Sequence, residues 1–143
     1  MSKHIFRPIL GLTFLVLMIT ISCSRTPTPV RLDYESTGDR LNLDLEVTGL
    51  RKSAPYFLSL NGKVNQDGND CLARFKQKYG SEWYYDFASV DTDQKGKLSY
   101  KKPVILPKCK YDVTFLIKDA SDPKYTSVIV RDHWRFEITK ESP

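Results

Sequence analysis

Apolar and polar side chains alternate one for one over two long stretches of the chain. Residues 40–47, "RLNLDLEV", put Leu41, Leu43, Leu45 and Val47 on one face and Asn42, Asp44 and Glu46 on the other. Residues 111–118, "YDVTFLIK", set Tyr111, Val113, Phe115 and Ile117 against Asp112, Thr114 and Lys118. A period of two is that of a half-buried antiparallel strand. Further strands are predicted at residues 56–60, closed by a turn at Asn61-Gly62, and at the aromatic run 83–90, "WYYDFASV". Residues 97–105 read as a strand that Pro103 places at a sheet edge. Residues 127–139 read as a last strand, bent near Asp132-His133, and residues 30–34 as a short one. About seven short strands with turn signals between them predict an all-β antiparallel sandwich.

One stretch changes period. Asp70 fits a helix N-cap, Cys71, Leu72, Phe75 and Tyr79 fall at helical spacing, and Gly80 fits the residue past the helix end. A short helix inserted between strands is expected there.

The first residues follow a different logic. Lys3 and Arg7 precede residues 9–21, which are apolar apart from Gly11, Thr13 and Thr20. Thirteen residues fall short of the ~20 that a helix needs to cross a bilayer, so the run fits a signal peptide better than a permanent span. It ends in Thr20-Ile21-Ser22-Cys23, which resembles the lipobox of bacterial lipoproteins, although Thr20 stands where that pattern has Leu. The resemblance implies a signal peptide over residues 1–22 and acylation of Cys23. Residues 23–29 then form a Thr/Pro tether and residues 30–143 one sandwich domain. Acyl chains contribute ~0.8 kcal/mol per buried CH₂, enough together to hold a soluble domain on a membrane. Cleavage after Ser24, or an uncleaved signal anchor, would explain the same residues.

The whole chain carries a net charge of +5, and losing Lys3 and Arg7 lowers it to +3. That is too little for nucleic-acid binding to follow from composition. With Cys23 assigned, Cys71 and Cys109 remain, and in an exported protein an even remainder suggests a disulfide. Two buried free thiols are the alternative.

Two further resemblances bear on the sandwich type. "VTGLRKSAPYFLSL" places Leu50 six residues before Tyr56, similar to the corner of fibronectin type III domains, where a tyrosine hydroxyl bonds back to upstream backbone. Thr92-Asp93-Gln-Lys-Gly96, followed by Leu106-Pro107-Lys-Cys109-Lys-Tyr111-Asp-Val113, is similar to the "TDxxG … LPxGxYxV" pattern of prealbumin-like (transthyretin-like) sandwiches. Cys109 stands where that pattern has glycine. The fold expectation is therefore a single Ig-like/transthyretin-like sandwich with one short inserted helix. A fold of this kind carries no function by itself.

Few residues offer chemistry. Asp91-Thr-Asp93-Gln-Lys95-Gly96 begins like a calcium loop, but Lys95 and Lys102 occupy ligand positions, so a polar hairpin turn explains it better. His4 leaves with the signal, which isolates His133 and argues against histidine-dependent catalysis; no enzyme, cofactor or metal site is expected. Lys95, Lys97, Lys101, Lys102, Lys108 and Lys110 could meet an anionic surface or partner. Their alternative role is to discourage edge-to-edge sheet pairing. In the aromatic run, Tyr84 and Asp86, next to Trp83, are the candidate ligand contacts: an exposed ring beside a carboxylate can stack on and hydrogen-bond a sugar. Alternatively Trp83, Tyr85 and Phe87 fill the core. The expected function is a cell-envelope lipoprotein acting as a non-catalytic adaptor for another envelope protein. A carbohydrate- or peptidoglycan-binding lipoprotein, or an accessory lipoprotein of a secretion apparatus, are the other readings.

Overall fold

The computed structural model describes residues 26–63, 78–79, 82–122, 124 and 127–143. They form nine strands: β1 (Thr28–Thr37), β2 (Arg40–Thr48), β3 (Pro55–Lys63), β4 (Lys78–Tyr79), β5 (Glu82–Asp91), β6 (Leu98–Tyr100), β7 (Pro103–Ile105), β8 (Cys109–Asp119) and β9 (Val128–Ile138). In one sheet β2 is central, with β1 on one side and β6 and β7 end to end on the other. The second sheet runs β4-β5-β3-β8-β9, with every pairing antiparallel. The described residues are thus all-β, with two antiparallel sheets facing one another.

The strict alternation in β2 does what its period dictates: Leu41, Leu43, Leu45 and Val47 are each at most 3% exposed. Across from them lie Tyr56, Leu58 and Leu60 of β3, Tyr111, Val113, Phe115 and Ile117 of β8, and Trp134 and Ile138 of β9. β5 joins this core through a bulge. Leu58 pairs with Ala88 and Ser59 with Asp86, so Phe87 is the extra residue. The bulge switches the alternation, and Trp83, Tyr85 and Phe87 before it and Ala88 and Val90 after it all pack against the core. Aromatic rings tie the sheets together. Trp134 stacks on Phe115 at 4.2 Å between ring centres and on Tyr34 of the opposite sheet at 4.7 Å.

Several sequence expectations change in detail. β3 runs straight through Asn61-Gly62, which pair with Tyr84 and Trp83 of β5; this dipeptide is central strand, not turn. Residues 97–105 split into β6 and β7 around Lys101-Lys102, with Pro103 opening β7, where its missing N–H is tolerated. β9 keeps register through Asp132-His133, and its irregularity lies between the Ile117 and Lys118 partners instead. Thr28 and Pro29, expected in the tether, belong to β1. The expected helix lies outside the described residues, except that Tyr79 is strand.

The turn at 92–97 joins the two sheets; it is not a hairpin within one. Asp93 Oδ1 accepts the N–H groups of Lys95 and Lys97 at 2.8 and 2.9 Å, and these bonds hold its carboxyl below its ordinary pKa. Gly96, with φ +77°, lies against the β2–β3 corner: Leu50 N–H donates to Gly96 O at 3.0 Å. A Cβ on Gly96 would come within 2.2 Å of Leu50 O. Gly38 also has positive φ, at +64°, but a Cβ there meets only Lys140 Cδ, at 3.6 Å.

Gly96→Ala is therefore expected to cost more than the ~1–2 kcal/mol that positive φ alone imposes on a side chain. Gly38→Ala should cost only that amount. Urea denaturation of both variants checks the difference; equal losses would mean that the corner yields freely around residue 96.

Candidate functional site

The outward face of the five-stranded sheet carries buried polar groups. Ser59, on β3, pairs with Asp86 of β5 on one side and with Leu116 of β8 on the other. The ordinary consequence of strand alternation would be a solvated row here. Instead Ser59, Leu116 and Lys118 are at most 4% exposed. The Lys118 ammonium lies 2.7 Å from Asp86 Oδ1, Ser59 Oγ donates to the same oxygen, and Lys118 Nζ stands 5.2 Å over the Tyr84 ring centre. A buried ammonium requires a carboxylate, and the ring face adds a cation–π contact.

This geometry changes the reading of Tyr84 and Asp86. Both were expected to be exposed; both are half-buried, and Asp86 holds Lys118 and Ser59. Trp83 packs against the core. A serine beside a lysine can support nucleophilic chemistry when the amine is neutral and takes the hydroxyl proton. Here the ammonium is ion-paired and the Ser59 proton points at the carboxylate, so the cluster acts as a clasp joining β3, β5 and β8.

The six lysines do not gather. They follow the turn before β6, the β6–β7 edge beside β2, and the start of β8 in the other sheet. Lys97 pairs with Glu46 at 2.9 Å and Lys101 with Asp44 at 2.8 Å. Lys95, Lys102, Lys108 and Lys110 are exposed. Cys109 opens β8 half-buried against the core and is disulfide-bonded. Its expected partner Cys71 lies outside the described residues, as does Cys23.

Both resemblance-bearing tyrosines bond to backbone. Tyr56 OH accepts the N–H of Arg51 at 3.1 Å. Tyr111 OH donates to Pro107 O, four residues upstream, at 2.8 Å. Thr92 Oγ1 accepts the Ala54 N–H at 3.0 Å and donates to Arg51 O, so the two motifs meet at one corner.

Two features were not foreseen. On β8 and β9, Asp112 holds His133 and Arg135, the latter at 3.0 Å. The bond to His133, then the nearby Arg135 charge, keeps the Asp112 carboxyl below its ordinary pKa. On the outward face of the other sheet, a shallow groove of about 420 Å³ runs between Asp33 and Glu35 of β1, Asn42 and Asp44 of β2, and Lys101, Lys102 and Pro103. The alternation of charge along 31–35 was the available signal, but only the register that sets Asp33 opposite Asp44 gives it meaning. Among the described residues, no three His, Cys, Asp or Glu side chains are grouped to hold a metal ion. No protein-family model, curated protein or solved structure matches this chain.

Removing one partner of the clasp should destabilise the fold strongly. Lys118→Met strands the half-buried Asp86, and a loss of ~3 kcal/mol is expected, whereas Lys118→Met with Asp86→Leu should recover most of it. Additive losses in urea denaturation would show that the pair is not coupled. Asp112 gives a smaller, pH-dependent term. Its lowered pKa stabilises the fold above the ordinary value of 3.8, and this is lost as pH falls through the folded-state pKa. With 63% of the Asp112 side chain exposed, solvent screening limits the effect of Asp112→Asn to a few tenths of a kcal/mol at neutral pH. The gap between wild type and variant should close below about pH 4.

Proposed function

We propose that this protein is an exported lipoprotein of the bacterial cell envelope, a non-catalytic binding module that links an envelope partner to a membrane. The observation that carries the reading is the short distance between the candidate anchor and the fold. The apolar run 9–21 stops at Cys23, and β1 begins at Thr28. Thr26 lies against Gly49, so close that a Cβ there would come within 2.6 Å of Thr26 O. An acylated Cys23 would therefore hold the sandwich almost directly on the lipid surface.

The sandwich is of the immunoglobulin-like kind on this reading. Support comes from the strand order, a β1-β2-β6/β7 sheet facing β5-β3-β8-β9, which matches A-B-E against C′-C-F-G. It comes also from Tyr111, whose hydroxyl bonds upstream near the start of the strand in the F position. Cys109 pairs with Cys71 on the same reading, a bridge that would remove ~4 kcal/mol of entropy from the unfolded chain.

A glycan-binding role is the second reading, and the polar groove beside Asp33 and Asn42 favours it. Neighbouring carboxylates, an amide and ammonium groups can each hydrogen-bond sugar hydroxyls.

Labelled palmitate should enter the wild-type chain and not Cys23→Ala; an unlabelled wild type would remove the membrane anchor. Non-reducing peptide mapping should recover a Cys71–Cys109 linked pair, against which two alkylatable thiols would count. A stoichiometric envelope protein should co-purify from membranes. Peptidoglycan retention that Tyr84→Ala or Asp33→Ala abolishes would favour the glycan reading instead.

A further inference from the structure

Each sheet of an open sandwich has two edges, and an edge strand presents unpaired N–H and C=O groups that another strand can use. Two of the four edges here offer little, and a third, the β4–β5 side, has β4 only opposite Glu82 and Trp83 and borders residues outside the described set. The β6–β7 edge is interrupted at Lys101-Lys102 and resumes with Pro103. β9 is long, but side chains occupy it. Asp132 occupies an inward position between Val130 and Trp134, and its two oxygens accept the N–H of His133 and the Nε1–H of Trp134, both at 2.9 Å. Two residues on, the N–H of Arg135 donates to the Tyr34 hydroxyl at 3.2 Å. In an antiparallel edge every second residue points its backbone donor outward, so two consecutive outward donors of β9 are already taken.

β1 differs. It is ten residues long; Pro29 and the irregularity next to Val30 disturb only its start. From Arg31 to Thr37 its register with β2 is unbroken. Among the described residues, no side chain hydrogen-bonds to the backbone of residues 32–37. Its outward side chains are also incomplete in charge. Arg31 bonds Asp44 at 2.8 Å and Glu46 at 3.4 Å, and Asp44 also holds Lys101. Asp33 and Glu35 are exposed and have no cationic partner among the described residues.

We propose that the free edge of β1 over residues 32–37 docks an extended basic segment of a partner protein, which adds as a further strand of the four-stranded sheet. The proposal rests on the reading of this chain as a binding module and identifies where that module works. Residues directly opposite in an antiparallel pair approach to about 4.5–5.5 Å between Cβ atoms. Lys or Arg at two alternate positions of the incoming strand would therefore meet Asp33 and Glu35. A second copy of this chain fits poorly. Two-fold pairing centred on residue 34, the register that uses most of this edge, sets Asp33 against Glu35 twice; centred on 35 it sets Glu35 against Glu35, and centred on 33 it gains Arg31 against Glu35 only by setting Asp33 against Asp33.

The test uses the full chain in detergent with a defined probe, acetyl-Val-Lys-Val-Lys-Val-Lys-Val-amide, and a control carrying Glu for Lys. The Lys peptide should slow amide exchange in residues 32–37 and leave 131–137 unchanged. Asp33→Lys/Glu35→Lys should weaken its binding at least about tenfold and favour the Glu peptide. The two substituted side chains are exposed, and an unchanged urea midpoint verifies the fold. Protection that appears on β9, no protection on β1, or equal binding by the double variant would overturn the proposal. An envelope protein that co-purifies equally with wild type and double variant would sink the edge while leaving the adaptor reading intact. Absence of any co-purifying protein would sink the adaptor reading, with peptide exchange still judging the edge.

Discussion

The Tyr34–Trp134–Phe115 stack is the contact on which the two sheets depend. Facing sheets share no backbone ladder, so side-chain packing holds them in register across the core. Tyr34 belongs to β1 of one sheet; Trp134 and Phe115 belong to β9 and β8 of the other. Ring pairs of this geometry contribute ~0.5–1.5 kcal/mol beyond their buried area. The polar ends of the same rings have a second role. A buried indole needs an acceptor for its N–H, and Asp132 supplies one while capping the next amide of β9. The Tyr34 hydroxyl reaches across to the Arg135 backbone. One stack therefore joins the layers and closes the β9 edge between them.

At the β2–β3 end the same problem is solved with backbone. Gly96 approaches Leu50 too closely for a side chain, Thr92 bonds both Arg51 and Ala54, and Asp93 closes the turn. The chain thereby leaves β5 of one sheet and enters β6 of the other within a few residues, with polar groups satisfied at the crossing. Arg51 N–H is bound by Tyr56 of the strand that follows. The sandwich is thus fixed at one end by hydrogen bonds and along one side by stacked rings.

Where one face of a strand is buried and the other wet, the sequence was easy to read. β2 and β8 follow from alternation alone, and the crossing turn was marked by Asp93 and Gly96. Reading failed where the local signal was outweighed by tertiary pairing. Asn61-Gly62 has the composition of a hairpin turn, yet β5 pairs with both residues and β8 also with Asn61, which keeps them extended. Alternation also predicts that Tyr84 and Asp86 are exposed, because it cannot show that the second face of a sheet is covered. Lys118 looked like a surface residue for the same reason and is 4% exposed. The lysines of 95–110 are close in sequence but are divided between the crossing turn, the β6–β7 edge of one sheet and the start of β8 in the other, and two are paired with β2 carboxylates. Asp132 reads in the sequence only as part of a bend at Asp132-His133: its meaning depends on β9 being an edge.

The two outward faces differ in how completely their charges are matched. On the five-stranded sheet, Asp86 answers Lys118 and Asp112 answers His133 and Arg135. Such internal matching leaves a surface little to gain from a ligand, because any new contact must first break an old one. The four-stranded sheet is matched only in part. Its central carboxylates, Asp44 and Glu46, are bound by Arg31, Lys97 and Lys101, while Asp33 and Glu35 of the outer strand face solvent. Unmatched charge on an unsealed strand carries a smaller desolvation cost than a buried site and still gives a partner direction and register. If the chain is a binding module, this division would put recognition on β1, the strand nearest the candidate anchor, and stability on the face built around Lys118.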